Sequence, residues 1–233
     1  PVVVRNGPVR EITEDCVDLS ILPVPTHAEL DGGPYFDAGV VITKDPETGI
    51  RNTSIQRFQV VGKDRLAINI DAGRHLELCL AKAAARSQTL PFTLNIGVGP
   101  GLHFAAATPA EAAPFGTDEL GIASRFHGRP LELVAGTTSG VEMVADAMFA
   151  LECEMVPGEL HEEGPFAEVT GYYATVAPRP LVRVKKIHRR HAPVFQTIIS
   201  GGEVFNSVGL LGEANVLALL QKQVPGVKDV YFS

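Results

Sequence analysis

Two strand-like runs, Gly39 to Thr43 and Asn52 to Val61, face each other across Asp45-Pro46-Glu47-Thr48-Gly49, where proline and glycine supply the turn chemistry. A hairpin of this kind, continued by Arg65 to Ile70, commits the middle of the chain to an antiparallel meander. Phe92 to Ile96, Leu131 to Val134, Ala147 to Val156, Glu168 to Val176 and Leu181 to Ile187 read as further strands. His75 to Ala85 reads as a helix, with Leu76, Leu78, Leu80 and Ala81 among good helix formers. Thr117 opens a short helix with Asp118 and Glu119 in its first turn, where acids favour the macrodipole. A helix from about Val208 to Lys222 and a strand from Val227 to Phe232 read as the opening of a second unit. Both ends of the chain read as cut, since it starts at Pro1 and stops after that last strand.

At 233 residues the chain can bury a real core. A net charge of −7, without a basic stripe, argues against nucleic-acid binding. The one basic cluster, Arg183 to Arg190, alternates with Val184 and Ile187 and reads as a strand with a solvated face. Cys16, Cys79 and Cys153 share no metal or redox spacing and read as buried free thiols in a reducing cytoplasm. Ser87 to Ala110 lacks Asp, Glu, Lys and Arg, but Pro91, Pro100 and Pro109 break it, so it is not a membrane span. Gly97-Val98-Gly99-Pro100-Gly101 has the wrong spacing for a dinucleotide loop, and Pro100 removes a backbone donor. It reads as a Gly-rich turn, either a plain one or one passing close to another cofactor.

Two segments carry chemistry. In Glu163-Gly164-Pro165-Phe166-Ala167-Glu168, two carboxylates flank a Gly-Pro bend that can turn both toward one point. Carboxylates that close cannot both ionise cheaply, which is how a general acid is made; the bland alternative is a surface turn with two solvated glutamates. Asn52-Thr53-Ser54-Ile55-Gln56-Arg57 supplies the cation such a pair needs. Asn52, His75 and Glu119 each sit at the edge of an element, and an amide, an imidazole and a carboxylate suit Mn²⁺ or Mg²⁺. Taken singly each also has an ordinary structural explanation, and spacing alone does not assemble them.

Asn-x-x-Ile-x-Arg (Asn52, Ile55, Arg57), His75, Asp118-Glu119-Leu120-Gly121 and Glu-Gly-Pro-Phe-x-Glu before Thr-Gly-Tyr-Tyr occur in that order. So do Val17-Asp18-Leu19, Leu22-Pro23 and Asp31-Gly32-Gly33-Pro34-Tyr35. Together they resemble the UbiD family of reversible decarboxylases that use prenylated FMN. The resemblance implies an α+β fold: a split β-barrel like that of flavin reductases, with packed helices, over 1–195. A truncated start of a C-terminal α/β domain would occupy 196–233. Asn52, His75 and Glu119 match the positions that hold a divalent ion (Mn²⁺ or Mg²⁺, with K⁺ as a further candidate) at the flavin phosphate. Ile55, Arg57, Arg74, Ala107 and Thr108 match further cofactor contacts. Arg57, Glu163 and Glu168 match the catalytic Glu-Arg-Glu network, with Glu168 as proton donor. The implied reaction is reversible non-oxidative decarboxylation of an aromatic or α,β-unsaturated acid, in which the cofactor stabilises the carbanion. A homo-oligomer, a cytoplasmic setting and a flavin prenyltransferase as cofactor supplier come with it. Family members carry an N-terminal α/β domain and a full C-terminal domain around the barrel. A flavin-binding module without decarboxylase activity and an inactive fragment remain open as alternatives.

Overall fold

The computed structural model describes residues 1–199 and 202–231. Two short strands, β1 (Val2–Val4) and β2 (Ile12–Glu14), precede the long hairpin strands β3 (Tyr35–Lys44) and β4 (Arg51–Val60). The turn between β3 and β4 is closed by Asp45, whose carboxylate accepts bonds from the Glu47 amide at 3.0 Å, the Thr48 hydroxyl at 3.0 Å and the Lys82 ammonium at 2.9 Å. Next come β5 (Arg65–Ile68), α1 (His75–Ala85), β6 (Leu90–Ile96), α2 (Pro100–Ala106) and α3 (Glu119–His127). Then follow β7 (Glu132–Ala135), β8 (Glu142–Val144), β9 (Phe149–Glu163), β10 (Phe166–Ala167), β11 (Tyr173–Ala174), β12 (Ala177–Arg189) and α4 (Gly202–Gln223).

Six of these strands close on themselves. The order β12-β5-β4-β3-β6-β9 returns to β12, because β9 and β12 pair antiparallel from Glu163↔Ala177 to Phe149↔Arg189. Register shifts in β12 at Pro180/Val182 and Val184/Lys186 supply the local bends that closure needs. Strand alternation sorts the core into two. Val41, Phe58, Leu66, Phe92, Leu94, Leu151, Cys153 and Val182, one or more from each barrel strand, cluster together with Leu76 and Cys79 of α1. Val40 and Ile42, the neighbours of Val41 on the other face of β3, instead pack with Leu102 of α2, Leu120 of α3 and Leu133 and Met143 of the small sheet β1-β7-β8.

The hairpin, α1 and the α3 N-terminus stand where the sequence puts them, and four expectations need correction. Glu168 to Val176 is not a strand. Only Tyr173–Ala174 pairs, with Phe166–Ala167, because the Glu168 amide donates to Tyr172 O and the Gly171 amide to Glu168 O, folding the run into a tight turn. Residues 227–231 form no strand: the Val227 amide turns back onto Val224 O, and Phe232 lies outside the described residues. Gly97 to Gly101 is not only a turn, since Pro100 starts α2, a position where its missing N–H costs nothing. Cys16 is exposed, and only Cys79 and Cys153 are buried. No helix among the described residues is long and apolar enough to cross a membrane.

Candidate active site

Three helices touch β4, the strand at the centre of the site. It brings Arg57 against the bend that follows β9. The Arg57 guanidinium donates from Nε to Glu163 Oε1 at 3.0 Å and from Nη2 to Glu163 Oε2 at 3.1 Å, a two-pronged pairing. Its remaining nitrogen, Nη1, donates to Glu168 Oε1 at 2.7 Å. One cation therefore holds both acids, as the sequence led us to expect. Burial opposes the charge on Arg57, but the bonds from Glu163 and Glu168 outweigh it and raise its pKa. The two acids differ in access: the Glu163 side chain is 1% exposed and that of Glu168 is 40% exposed. Glu163 is sealed from solvent, while Glu168 is open to it.

The bend itself is held on several sides. Gln59, two residues along β4 from Arg57 and so on the same face, accepts from the Gly164 amide at 2.9 Å and donates to Gly32 O at 2.8 Å. Phe166 lies beneath the Arg57 guanidinium, 5.1 Å from it, and packs on Tyr35 with ring centroids 4.5 Å apart. Burial and then the Glu163 charge raise the Tyr35 pKa, so its hydroxyl stays a neutral donor beside the acids.

The other trio also converges. Asn52 lies on β4, His75 is the first residue of α1 and Glu119 the first residue of α3. The Asn52 amide nitrogen is 3.2 Å from Glu119 Oε1 and 3.4 Å from His75 Nδ1, which is itself 3.8 Å from Glu119 Oε1. Glu119 Oε2 accepts from the Thr53 amide at 2.9 Å. Burial pushes the Glu119 carboxyl up to about 7, and burial followed by the nearby Arg74 charge lowers the His75 imidazole. Asn52 Oδ1 is buried without a partner. A terminal amide can present either atom, and turned about its axis it would aim this oxygen where the imidazole and the carboxylate already point. Ligands in cis positions on a hard divalent ion stand roughly 3 Å apart. The set therefore fits such an ion, with oxygen, nitrogen and oxygen donors. Among the described residues, no group of three or more His, Cys, Asp or Glu side chains offers an alternative cage.

The remaining expected contacts are more scattered. Ile55 packs against the outer core, Arg74 is exposed at the N-cap of α1, and Ala107 follows the last turn of α2. Thr108 spends its hydroxyl on Phe104 O at 3.1 Å. Sequence reasoning missed the supports. Arg51 pairs with Asp118 at 2.6 Å, one residue before Asn52 and one before Glu119, and so buckles β4 to α3 next to both. The adjacency of Arg51 to Asn52 and of Asp118 to Glu119 was the available signal. An open cleft of about 510 Å³ lies on this side, lined by Lys44, Arg51, Asp118 and Glu142, and neither Glu163 nor Glu168 lines it.

A closed six-strand barrel with one arginine shared by two acids is the frame of the site, and comparison with known proteins gives its family. Residues 2–203 match the 3-octaprenyl-4-hydroxybenzoate carboxy-lyase Rift-related domain, and the chain belongs to the UbiD family. It is 77% identical, over all of its length, to 50% of an uncharacterized protein encoded in the cooM 5' region of Rhodospirillum rubrum. It is 37% identical over 91% of its length to 49% of an anhydromevalonate phosphate decarboxylase of Methanothermobacter thermautotrophicus. The structure of an evolved dimeric form of the UbiD-class enzyme HmfF from Pelotomaculum thermopropionicum, in complex with prFMN, superposes with a TM-score of 0.93 at 40% identity. That match covers 99% of this chain and 54% of the other. The chain thus spans about half the length of the relatives it matches.

Proposed function

We propose that this chain forms the cofactor-binding and proton-delivering core of a prenylated-FMN-dependent carboxy-lyase acting on an aromatic or α,β-unsaturated acid. The observation that carries this reading is the shared arginine. Flavin binding alone does not require a buried Glu163 and an accessible Glu168 clamped by one guanidinium, whereas proton delivery at a defined point does. Support also comes from the relative that is a decarboxylase and from the solved relative in complex with prFMN.

Asn52, His75 and Glu119 would hold a divalent ion, Mn²⁺ or Mg²⁺, at the phosphate end of the cofactor; K⁺ is a further candidate ion there. Ile55, Arg57, Arg74, Ala107 and Thr108 would contact the cofactor. When bound, the prenylated flavin supplies the electron sink that makes loss of CO₂ feasible. The chain's own residues do the rest. Arg57 orients both carboxylates and presents a cation toward an acidic substrate, Glu163 compensates the buried charge, and Glu168 delivers a proton to the carbon that has lost its carboxylate. In the carboxylation direction the same oxygen would remove that proton.

We take 1–195 as the barrel domain and 196–233 as the start of a further one. Phe195 still packs on Phe36 and Phe149, and the Ile198 amide donates to Asp37 at 2.9 Å, so the junction stays tied to the barrel. A homo-oligomer in the cytoplasm, with a flavin prenyltransferase supplying the cofactor, completes the proposal.

The test is Glu168→Gln in protein loaded with prenylated FMN and Mn²⁺. It should retain the cofactor and release CO₂ about 10²–10⁴-fold more slowly from a panel including cinnamic, 4-hydroxybenzoic and crotonic acids. Turnover within a few-fold of wild type would remove Glu168 from the role.

A further inference from the structure

Asp31-Gly32-Gly33-Pro34-Tyr35 stands out in the sequence, and the reaction described so far makes no use of Asp31. Its position suggests one. β10 and β11 pair only with each other, so the hairpin that carries Glu168 is not part of the barrel sheet. Besides the contacts from Arg57 and Gln59 of β4, the segment from His27 to Tyr35 ties it to the body of the protein. Asp31 Oδ1 accepts from the Ala167 amide at 2.8 Å, immediately before Glu168. The Gly32 amide donates to Pro165 O at 2.8 Å, and the Leu30 amide donates to the Tyr173 hydroxyl at 3.3 Å at the far strand of the hairpin.

The other Asp31 oxygen is also committed. Oδ2 accepts from the His27 amide at 3.2 Å and the Ala28 amide at 2.9 Å, which fixes the segment's own turn. All three partners of this carboxylate are backbone donors, so the position requires a side chain that only accepts. Asparagine is the same size but would have to aim an NH₂ at one of them. Gly32 is constrained in a second way. A Cβ there would stand 2.2 Å from Gly164 O and 2.7 Å from Gln59 Nε2, so backbone lies against backbone where the bend leaves β9.

Resting on the reading of Glu168 as the proton donor, we propose that Asp31 is a positioning residue: its carboxylate, together with the close approach of Gly32, fixes the 164–167 bend and thereby sets where the Glu168 carboxyl stands relative to Arg57. The two ends of the acid's segment are thus held by different elements. Glu163 is placed by β9, which belongs to the barrel, whereas the backbone just before Glu168 is held by Asp31, which belongs to the long connection before β3. The separation of the two acids across Arg57 depends on both.

Two measurements test this in the protein loaded with prenylated FMN. In hydrogen exchange read by mass spectrometry, Asp31→Asn should speed exchange of the peptide containing Ala167 and Glu168 about tenfold or more while leaving the β3 and β4 peptides unchanged. Unchanged exchange in that peptide would overturn the proposal. The second measurement is a double-mutant cycle with cinnamic, 4-hydroxybenzoic and crotonic acids. Asp31→Asn alone should lower kcat by about 10–100-fold, the usual effect of misplacing a reacting group by about an ångström, with little change in KM. In the Glu168→Gln background the same substitution should change kcat less than about twofold, because the group it positions is gone. An equal loss in both backgrounds would show general damage and overturn the positioning role while leaving Glu168 as the acid. Wild-type turnover by Glu168→Gln alone would instead sink the acid assignment, and the positioning role with it. Should Asp31→Asn fold poorly, Gly32→Ala displaces the same bend through steric contact and carries the same cycle.

Discussion

Arg57→Lys keeps the charge and removes the geometry, so it separates the two contributions at the centre of the site. Arg57 makes three bonds to carboxylates, at 3.0, 3.1 and 2.7 Å, and its side chain is 13% exposed. An ammonium on a lysine stem is a compact point charge that can serve one acid at a time. Two bonds to charged partners are lost, each contributing about 1.5–3 kcal/mol when buried. The bond to Glu168 counts for less because that side chain is 40% exposed and solvent screens it. We therefore expect a loss of roughly 2–4 kcal/mol, or about 5–15 °C in Tm for a chain of this size. Turnover should fall about 10²-fold, because Glu168 is no longer held at a defined point. Scanning fluorimetry and CO₂ release on the same preparations would read both. A second variant, Arg57→Met with Glu163→Gln, removes both buried charges together and should recover most of the stability while turnover stays low. Arg57→Lys with a Tm within about 2 °C of wild type and unchanged turnover would refute the argument that one forked cation organises the site.

Two further outcomes follow from other parts of the molecule. His75→Ala should weaken Mn²⁺-dependent retention of FMN by at least about tenfold, with little change in metal-free Tm; equal FMN affinity with and without Mn²⁺ in wild type would remove the ligand role. Glu152→Gln concerns a fully buried carboxylate that accepts bonds from His188 at 2.7 Å and from the amides and hydroxyls of Thr137 and Thr138 at 2.6–2.9 Å. Burial alone would raise its pKa, but the bonds from His188 and the two threonines hold it well below the ordinary value of 4.5. A depressed carboxylate stabilises the fold above its unfolded value and loses that contribution as pH falls toward its folded one. The variant should lose roughly 3 kcal/mol at pH 7, and thermal melts should show the gap from wild type narrowing below about pH 4.5. A gap that widens in acid would contradict the assignment.

The elements whose signals are local were legible in the sequence. The β3–β4 turn announces itself through Pro46 and Gly49, and α3 through Asp118, whose side chain accepts from the Leu120 amide at 3.1 Å. The trio at Asn52, His75 and Glu119 was not legible from spacing, because its members meet only after α1 and α3 fold onto β4. The resemblance to known sequences grouped them, and in the structure the three side chains lie 3.2–3.8 Å apart. Glu168 to Val176 misled because β-branched and aromatic residues favour strands, while the backbone bonds around Gly171 impose a turn. The role of Asp31 was equally hidden, since its three bonds join positions up to 136 residues apart in the chain.

Strand β4 carries both Asn52, at the proposed phosphate end, and Arg57, at the proposed reacting end. Five residues of extended chain span about 16 Å at about 3.3 Å per residue. β4 is paired to β3 from Asn52 to Gln56 and to β5 from Phe58 to Val60, so the strand is anchored at both ends of this interval. On the proposed reading the strand would act as a gauge bar, admitting a molecule whose charged tail and reactive ring are separated to suit it. A flavin cut short at the ribityl chain could satisfy one end of the gauge but not both. Selection among flavins would thus be made by length along a strand, before any atom of the ring is recognised.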